Sequence, residues 1–163
     1  MRFLHAFAIP AMLCLAAGAA AADPSLSMTL DGKPWTAENV SASETVIAGK
    51  PVLNIAGTIL KDGQPIVFST NLVIASPGQY AGTYAYPEKS DPTGNTASFS
   101  DPTRGDDFME QRFRMTGGQI TVTSDASAHT VSGTFAMTGI SQSKKTKLSI
   151  ENGVFKDIPV VTP

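Results

Sequence analysis

Four carboxylates within one short stretch are the groups in this sequence best suited to chemistry. Asp101, Asp106, Asp107 and Glu110 lie among turn-forming residues. Loop oxygen atoms are the ligands that Ca²⁺ prefers, so these four are a candidate metal site, although their spacing differs from that of an EF-hand loop. A carboxyl pair for glycoside hydrolysis is disfavoured, because adjacent Asp residues in a strand point to opposite faces. A solvated acidic loop is the plainer alternative, and no cofactor is predicted.

Few residues in this sequence could support nucleophilic catalysis or nucleotide binding. The single Cys is Cys14, close to the start of the chain, and His129 is the only His beyond His5. His129 stands among small residues at a predicted strand entry, where a role in the turn is the plainer interpretation. The sequence contains no Gly-x-Ser-x-Gly elbow, phosphate-binding loop or dinucleotide fingerprint. We therefore expect the protein not to be an enzyme.

Three tyrosines at even spacing are the candidate ligand-binding residues. Tyr80, Tyr84 and Tyr86 alternate around Gly82, so in an extended strand the three rings would share one face. Such a face can stack on a sugar or lipid, or it can pack against the core of the domain. Both interpretations stay open at this point.

The charge balance excludes one class of partner. The 163 residues include 12 Lys and Arg against 14 Asp and Glu, and only 16% of residues are charged. Proteins that bind nucleic acid through bulk charge have a clear excess of cations. We expect no nucleic-acid partner, and a surface rich in hydroxyl groups rather than in charge.

Residues 1–22 have the pattern of a secretory signal peptide. An early cation, Arg2, precedes an apolar stretch, and a run of small residues follows. Ala20 and Ala22 fit the small-x-small rule, which places cleavage after Ala22. The apolar stretch is short for a membrane span and is interrupted by Pro10, so no membrane-spanning segment is predicted. We expect an exported protein, periplasmic or secreted, with a single domain over residues 23–163.

The elements that must position the candidate residues are short β-strands. Apolar and polar residues alternate in six runs, and no stretch beyond residue 22 has the apolar period of a helix. The apolar faces lie at positions 53, 55 and 59; 66, 68, 72 and 74; 109, 113 and 115; 120 and 122; 131, 135 and 137; and 148 and 150. Turns between strands are predicted at Asp31-Gly32, Asp62-Gly63, Gly117-Gly118 and Asn152-Gly153. The sequence predicts an all-β, antiparallel domain of about eight to ten strands, either a β-sandwich or a small lipocalin-like barrel.

Residues 86–108 are predicted to form one long loop. The stretch contains Pro87, Pro92 and Pro102, and Ser-Asp-Pro-Thr occurs in it twice. The tripeptide Arg104-Gly105-Asp106 is interpreted as a turn. A loop of this length in a small domain is either functional or loosely ordered.

Four short motifs follow one another along the chain. They are Asp31-Gly32-Lys33-Pro34-Trp35-Thr36-Ala37, Gly82-Thr83-Tyr84, Ser132-Gly133-Thr134-Phe135 and Asn152-Gly153-Val154-Phe155. This order resembles that of a family of uncharacterised bacterial exported β-proteins, which have a DGxxWxA opening followed by GTY, SGTF and NGxF segments. The resemblance implies an all-β domain at the cell envelope. It implies no activity and no catalytic residue, because the function of that family is itself unknown.

The function expected from these features is binding rather than catalysis. Small β-barrels and sandwiches offer a mouth or a face to a ligand without needing catalytic groups. We predict a binding module for a small apolar or glycan ligand. The alternative is a structural or protein-interaction component of the cell envelope, which would expose an apolar patch or a strand edge. The sequence does not predict the oligomeric state.

Overall fold

Ten β-strands make up the regular structure of the computed structural model, which describes residues 23–89, 91 and 93–162. No α-helix occurs in these ranges, as the alternating pattern predicts. In chain order the strands are β1 (Ser25–Leu30), β2 (Lys33–Thr36), β3 (Asn39–Ile47), β4 (Lys50–Lys61), β5 (Gln64–Val73), β6 (Gly82–Ala85), β7 (Thr96–Ser100), β8 (Arg112–Asp125), β9 (Thr130–Ser141) and β10 (Lys147–Val161).

Seven of these strands close into a barrel. In the order β3–β4–β5–β7–β8–β9–β10, each strand pairs antiparallel with the next. Strand β10 then meets β3 in a short parallel pairing, with Val160 opposite Ala42 and Val161 opposite Ser43. The predicted all-β fold is confirmed, and of the two predicted architectures the chain adopts the barrel. The parallel pair departs from the expected antiparallel order, because the strands that meet at closure are distant in sequence and are not joined by a hairpin.

Three strands lie outside this circle. The β1–β2 hairpin runs along the edge of β10 that β9 leaves free, and it brings the buried Trp35 against Gly57 of β4. A Cβ at Gly57 would lie 3.3 Å from the indole ring, so this glycine makes room for the tryptophan. Strand β6 pairs with residues 119–122 of β8, next to β7, which pairs with residues 112–114 on the same edge.

The Asn95 side chain bridges the gap that remains between β5 and β6. The Asn95 carbonyl oxygen accepts a hydrogen bond from the Val73 N–H at 2.9 Å. The Asn95 amide nitrogen donates to the Ala85 carbonyl at 3.0 Å. One amide group therefore takes the place of ladder hydrogen bonds between the two strands.

The inward-facing side chains form one apolar core, which is rich in phenylalanine. The rings of Phe68 and Phe135 stack with their centroids 5.0 Å apart. A barrel of this size has an interior just wide enough to be packed by side chains. The predicted faces are confirmed at the buried residues Leu53, Ile55, Ile66, Phe68, Leu72, Ile74, Phe113, Met115, Ile120, Val122, Val131, Phe135, Met137, Leu148 and Ile150. The prediction is wrong for Met109, which lies before β8 begins and is 43% exposed.

Two glycine–phenylalanine pairs couple β9 to β10. Gly133 lies opposite Phe155, and Gly153 lies opposite Phe135. A Cβ at Gly153 would come within 2.5 Å of the Phe135 ring, and one at Gly133 would come within 2.5 Å of the Phe155 ring. Each ring thus lies over the glycine of the neighbouring strand. This reciprocal packing gives a structural reason for the SGTF and NGVF motifs.

Two of the predicted turns are confirmed, and two are not turns. Asp31-Gly32 and Asp62-Gly63 have positive φ at both residues and join their strands as two-residue hairpins. Gly117-Gly118 lies inside β8, and Asn152-Gly153 lies inside β10. The pairing register shifts at both places, which indicates β-bulges. Gly118 and Asn152 have positive φ there, so the residues typical of a turn serve a bulge instead.

The prediction of one loop over residues 86–108 is wrong at its centre. Residues 96–100 form β7, which pairs with both β5 and β8 and buries Ala97 and Phe99. The run is only five residues long and is flanked by Asp-Pro turn signals, which conceal its alternation. Arg104-Gly105-Asp106 does lie in a turn region, with Gly105 at a φ of 70°.

The predicted signal peptide, residues 1–22, lies outside the described residues. Within the part of the chain that the structure describes, no helix has the length and hydropathy needed to span a bilayer.

Candidate functional site

One end of the barrel opens into a cleft of about 540 Å³, here called the mouth. It lies where β3, β8 and β10 end and β9 begins, and the segment between β5 and β6 crosses it. The mouth is lined by Glu44, Pro77, Gly78, Tyr80, Ser124, Asp125, Ala126, His129, Thr130 and Thr162. This lining includes two carboxylates, an imidazole and several hydroxyl groups. None of the described residues that line the mouth is a Lys or an Arg.

Glu44 holds one wall of the mouth in place. Its Oε2 accepts hydrogen bonds from the Tyr80 hydroxyl at 2.8 Å and from the Gly78 N–H at 2.9 Å. Burial, with a further contribution from the Glu44 carboxylate, raises the pKa of Tyr80 to about 12. The phenol therefore stays protonated at physiological pH and acts as a neutral hydrogen-bonding group.

The β8–β9 turn forms the opposite wall. Asp125 Oδ1 accepts hydrogen bonds from the Ser127 hydroxyl at 2.6 Å and from the backbone N–H groups of Ser127 and Ala128. These bonds favour the carboxylate and lower the pKa of Asp125. His129 follows with a φ of 53°, in the left-handed region, and its carbonyl accepts from the Val160 N–H at 2.9 Å. The backbone around this imidazole is thus fixed by the turn and by β10.

The other end of the barrel is closed by Arg104. Its guanidinium lies over the rings of Phe113 and Phe99, at 5.1 and 5.8 Å from their centroids. It also pairs with Asp101 and with Asp31, each at 3.2 Å. The tripeptide of residues 104–106 therefore uses its arginine to cover the core.

The three candidate tyrosines do not form one exposed strip. Tyr80 and Tyr86 are buried and Tyr84 is half-buried. The Tyr84 hydroxyl donates to the Tyr80 carbonyl at 2.8 Å, and the Tyr86 hydroxyl bonds to Thr70 Oγ1 in the interior, where burial raises the pKa of Tyr86. Of the three, Tyr80 lines the mouth. Ligand contact by these residues stays a prediction, now centred on Tyr80.

The four candidate carboxylates are not brought together. Asp101 accepts from Thr103 and pairs with Arg104, and Asp107 accepts from the Met109 N–H. The Glu110 carboxylate instead accepts from the hydroxyls of Ser143 and Thr146, in the β9–β10 turn, which lowers the pKa of Glu110. No group of three or more metal-ligating side chains occurs in the described ranges. Two of these carboxylates, Asp101 and Asp107, thus accept hydrogen bonds within their own turns, and Glu110 accepts from the β9–β10 turn. The candidate metal site of Asp101, Asp106, Asp107 and Glu110 is therefore not assembled.

Glu44 is a site residue that the sequence pattern does not single out. The inward positions 42 and 44 of β3 are Ala and Glu, so this strand lacks the alternation of large apolar residues that predicts a strand. With Ala42 buried, Glu44 lies on the same, inward face of β3. A carboxylate on the inner face of a strand is the signal that could have revealed it.

Comparison with known proteins identifies a family without assigning an activity. A family model described as a domain of unknown function, DUF6252, matches residues 22–159. No curated protein and no solved structure matches the chain. The resemblance to a family of unknown function is therefore confirmed, and the geometry of this barrel is what remains to indicate a function.

Proposed function

The chain belongs to the DUF6252 family of domains of unknown function, and we propose that it is a non-catalytic binding module whose mouth takes a small, hydroxyl-rich ligand of the glycan type. The observation that carries this proposal is the cleft of about 540 Å³ at one end of the barrel, with its lining of hydroxyl, carboxylate and imidazole groups. Ligand sites favour such concave positions at the mouths of β-barrels.

The chemistry of the lining favours a glycan over an apolar ligand. Glu44 and Asp125 face the cleft together with the hydroxyls of Ser124 and Thr130. An apolar ligand would remove water from both carboxylates without replacing its hydrogen bonds, and this costs more for a charged group than the roughly 2–7 kcal/mol of a neutral polar group. A sugar supplies hydroxyl donors to the carboxylates and acceptors to the lining hydroxyls.

Binding without catalysis is part of the same proposal. The Glu44 carboxylate is engaged by Gly78 and Tyr80, and the Asp125 carboxylate by its own turn. Both groups are therefore fixed as hydrogen-bond acceptors. General acid–base catalysis instead uses groups whose pKa lies near the working pH, and the pKa of Asp125 is lowered away from it.

Filling the mouth tests the proposal. Ser124 and Thr123 are adjacent and exposed, but Ser124 lines the mouth whereas Thr123 does not. Ser124→Trp should occupy the cleft and weaken binding at least tenfold, while Thr123→Trp should leave it unchanged. Backbone amide chemical shifts, followed during titration with a panel of mono- and disaccharides, give the affinities and place the site.

The expected result is a saturable shift at Tyr80, His129 and neighbouring amides for at least one sugar, lost in Ser124→Trp. The proposal fails if no sugar of the panel shifts these amides. It also fails if the two tryptophan variants bind equally well.

The alternative proposal is a structural or protein-interaction role at the cell envelope. Phe108 and Met109 are 55% and 43% exposed and adjacent in sequence, which favours a contact surface at the Arg104 end. The Phe108 ring is partly covered by the Arg112 guanidinium, 4.0 Å from its centroid. A partner that co-purifies with the chain and is lost on Phe108→Ser would favour this role.

A further inference from the structure

The lining of the mouth carries negative charge that no lining cation offsets. Glu44 and Asp125 contribute two carboxylates, and the described lining residues include neither Lys nor Arg. Lys50, at the start of β4, donates from Nζ to the Thr93 carbonyl at 3.2 Å and does not line the cleft. Charges of one sign in a cleft with low-dielectric walls concentrate the electric field there. The mouth therefore favours a positively charged group on its ligand.

Most of the described cations lie at the other end of the barrel, around Arg104. Arg112 and Asp125 are the first and last residues of β8, so roughly 40 Å of strand separates them. Charges at that distance are screened, because the Debye length at physiological salt is about 8 Å. Lys89 and Lys156 lie outside that group and do not line the mouth either. The cations at the Arg104 end are Lys33, Lys61, Arg104, Arg112, Arg114, Lys144, Lys145 and Lys147.

Each mouth carboxylate is anchored through one of its two oxygens. The bonds from the Tyr80 hydroxyl and the Gly78 N–H both end on Glu44 Oε2. The bonds within the β8–β9 turn all end on Asp125 Oδ1. The second oxygens, Glu44 Oε1 and Asp125 Oδ2, accept no hydrogen bond from the part of the chain that the structure describes. Each carboxylate is thus held in place and keeps one anionic oxygen for a ligand.

We propose that the mouth selects a ligand that carries a protonated amine, as an amino sugar or a short polyamine does. The inference rests on the proposed function, because it names the charge of the ligand that the same cleft takes. An ammonium group has three N–H donors, which suit the two free carboxylate oxygens and one lining hydroxyl. Such charge-assisted hydrogen bonds are roughly twice as strong as neutral ones. A neutral sugar would cover the same two oxygens without compensating their charge.

Two carboxylates suit an amine better than a divalent metal ion. Ca²⁺ takes roughly six to eight oxygen ligands, several of them from carboxylates. Within the described ranges, no three metal-ligating side chains come together. The Tyr80 hydroxyl donates its proton to Glu44, so it adds no further anionic ligand.

Two charge-removing substitutions and one matched control test the proposal. In Glu44→Gln and Asp125→Asn, the amide oxygen can still accept the bonds that anchor the side chain, while an NH₂ group replaces the free oxygen. Asp62→Asn removes one carboxylate from the β4–β5 turn, at the other end of the barrel. Thermal unfolding of each variant verifies that the barrel is intact.

The probes separate the amine from the sugar that carries it. Glucosamine, glucose and N-acetylglucosamine share one ring and differ at C2, where only glucosamine has a charged amine. The pair 1,4-diaminobutane and 1,4-butanediol makes the same comparison without a sugar. Titrations near neutral pH and at low salt, followed by the amide chemical shifts of the mouth residues, give the affinities.

Glucosamine should bind at least about tenfold more tightly than the two neutral sugars, and added salt should weaken its binding. Glu44→Gln and Asp125→Asn should each reduce this preference at least about threefold, whereas Asp62→Asn should leave it unchanged. Binding of 1,4-diaminobutane but of no sugar would support the amine and reject the glycan part of the proposed function.

Equal binding of the three sugars at the mouth would overturn this inference and leave the proposed function standing. The inference is also overturned if neither glucosamine nor 1,4-diaminobutane shifts the mouth amides. A loss in Asp62→Asn as large as in the two mouth variants would overturn it as well, since the preference would then follow the total charge of the protein.

Discussion

The Arg104 side chain alone covers the aromatic core at one end of the barrel. The Arg104 guanidinium contacts groups that favour a planar cation. These are two aromatic rings and two carboxylates from separate parts of the chain. Because Asp31 belongs to the β1–β2 turn and Asp101 follows β7, the guanidinium also connects two loops. The residue therefore stabilises the end of the barrel opposite the mouth.

Arg104→Ala should lower the free energy of unfolding by about 1.5–4 kcal/mol. Each cation–π contact contributes about 0.5–1 kcal/mol, and each partly exposed ion pair contributes about 0.2–1 kcal/mol. Urea unfolding measures the loss. Arg114→Ala, on the exposed outer face of β8, is the control and should change stability by less than about 0.5 kcal/mol. Equal losses in the two variants would show that Arg104 is an ordinary surface residue.

At the scale of elements, β9 and β10 are matched to one another through the two glycine–phenylalanine pairs. The two glycines differ in which atoms an added Cβ would contact. A Cβ at Gly153 meets only the Phe135 ring among its nearest atoms, whereas a Cβ at Gly133 would also lie 2.1 Å from the Thr121 backbone carbonyl. A side chain can move to accommodate a methyl group, but a paired backbone cannot.

Gly153→Ala should therefore destabilise the barrel by about 1–3 kcal/mol, and the smaller, ring-free side chain of Phe135→Leu should recover part of this loss in the double variant. Gly133→Ala should not be recovered by Phe155→Leu, because the backbone contact remains. Chemical unfolding of the single and double variants measures both couplings. Recovery in both pairs, or in neither, would contradict the expected difference between the two glycines.

The limits of prediction from sequence also lie at this scale. Strands with strong alternation, such as β4, β5 and β9, are predictable together with their buried faces, because period-two burial needs no tertiary information. Asn152-Gly153 has the composition of a turn, because a bulge and a turn both require positive φ. Strand β7 is concealed by its flanking prolines. The mouth is not predictable, because Glu44, Tyr80 and His129 come from separate elements and meet only when the barrel closes.

At the scale of the whole molecule, the described barrel begins just after the predicted cleavage position. Asp23 and Pro24 precede β1, which pairs directly with β10. Every described strand therefore lies in the part of the chain that would remain after cleavage at the predicted position. Export through residues 1–22 stays a prediction from the sequence.

Expression of the full chain in a bacterial host tests export. We expect the protein in the periplasmic fraction or in the medium, with Asp23 as its first residue by intact mass and N-terminal sequencing. Ala20→Arg together with Ala22→Arg should block processing and retain the longer chain, because the cleavage site needs small residues. If the unaltered chain stays in the cytoplasm at its full length, the protein is not exported by this segment.

The short parallel pairing of β3 with β10 has a consequence for the order of folding. The hairpins β3–β4–β5 and β8–β9–β10 join neighbours in sequence and need little loop closure, so they can form early. The contact of Ala42 with Val160 joins the two extremes of the barrel sequence. Contacts between such distant residues are slow to form. We expect the ring to close last, and to open first at this two-residue seam when the protein begins to unfold.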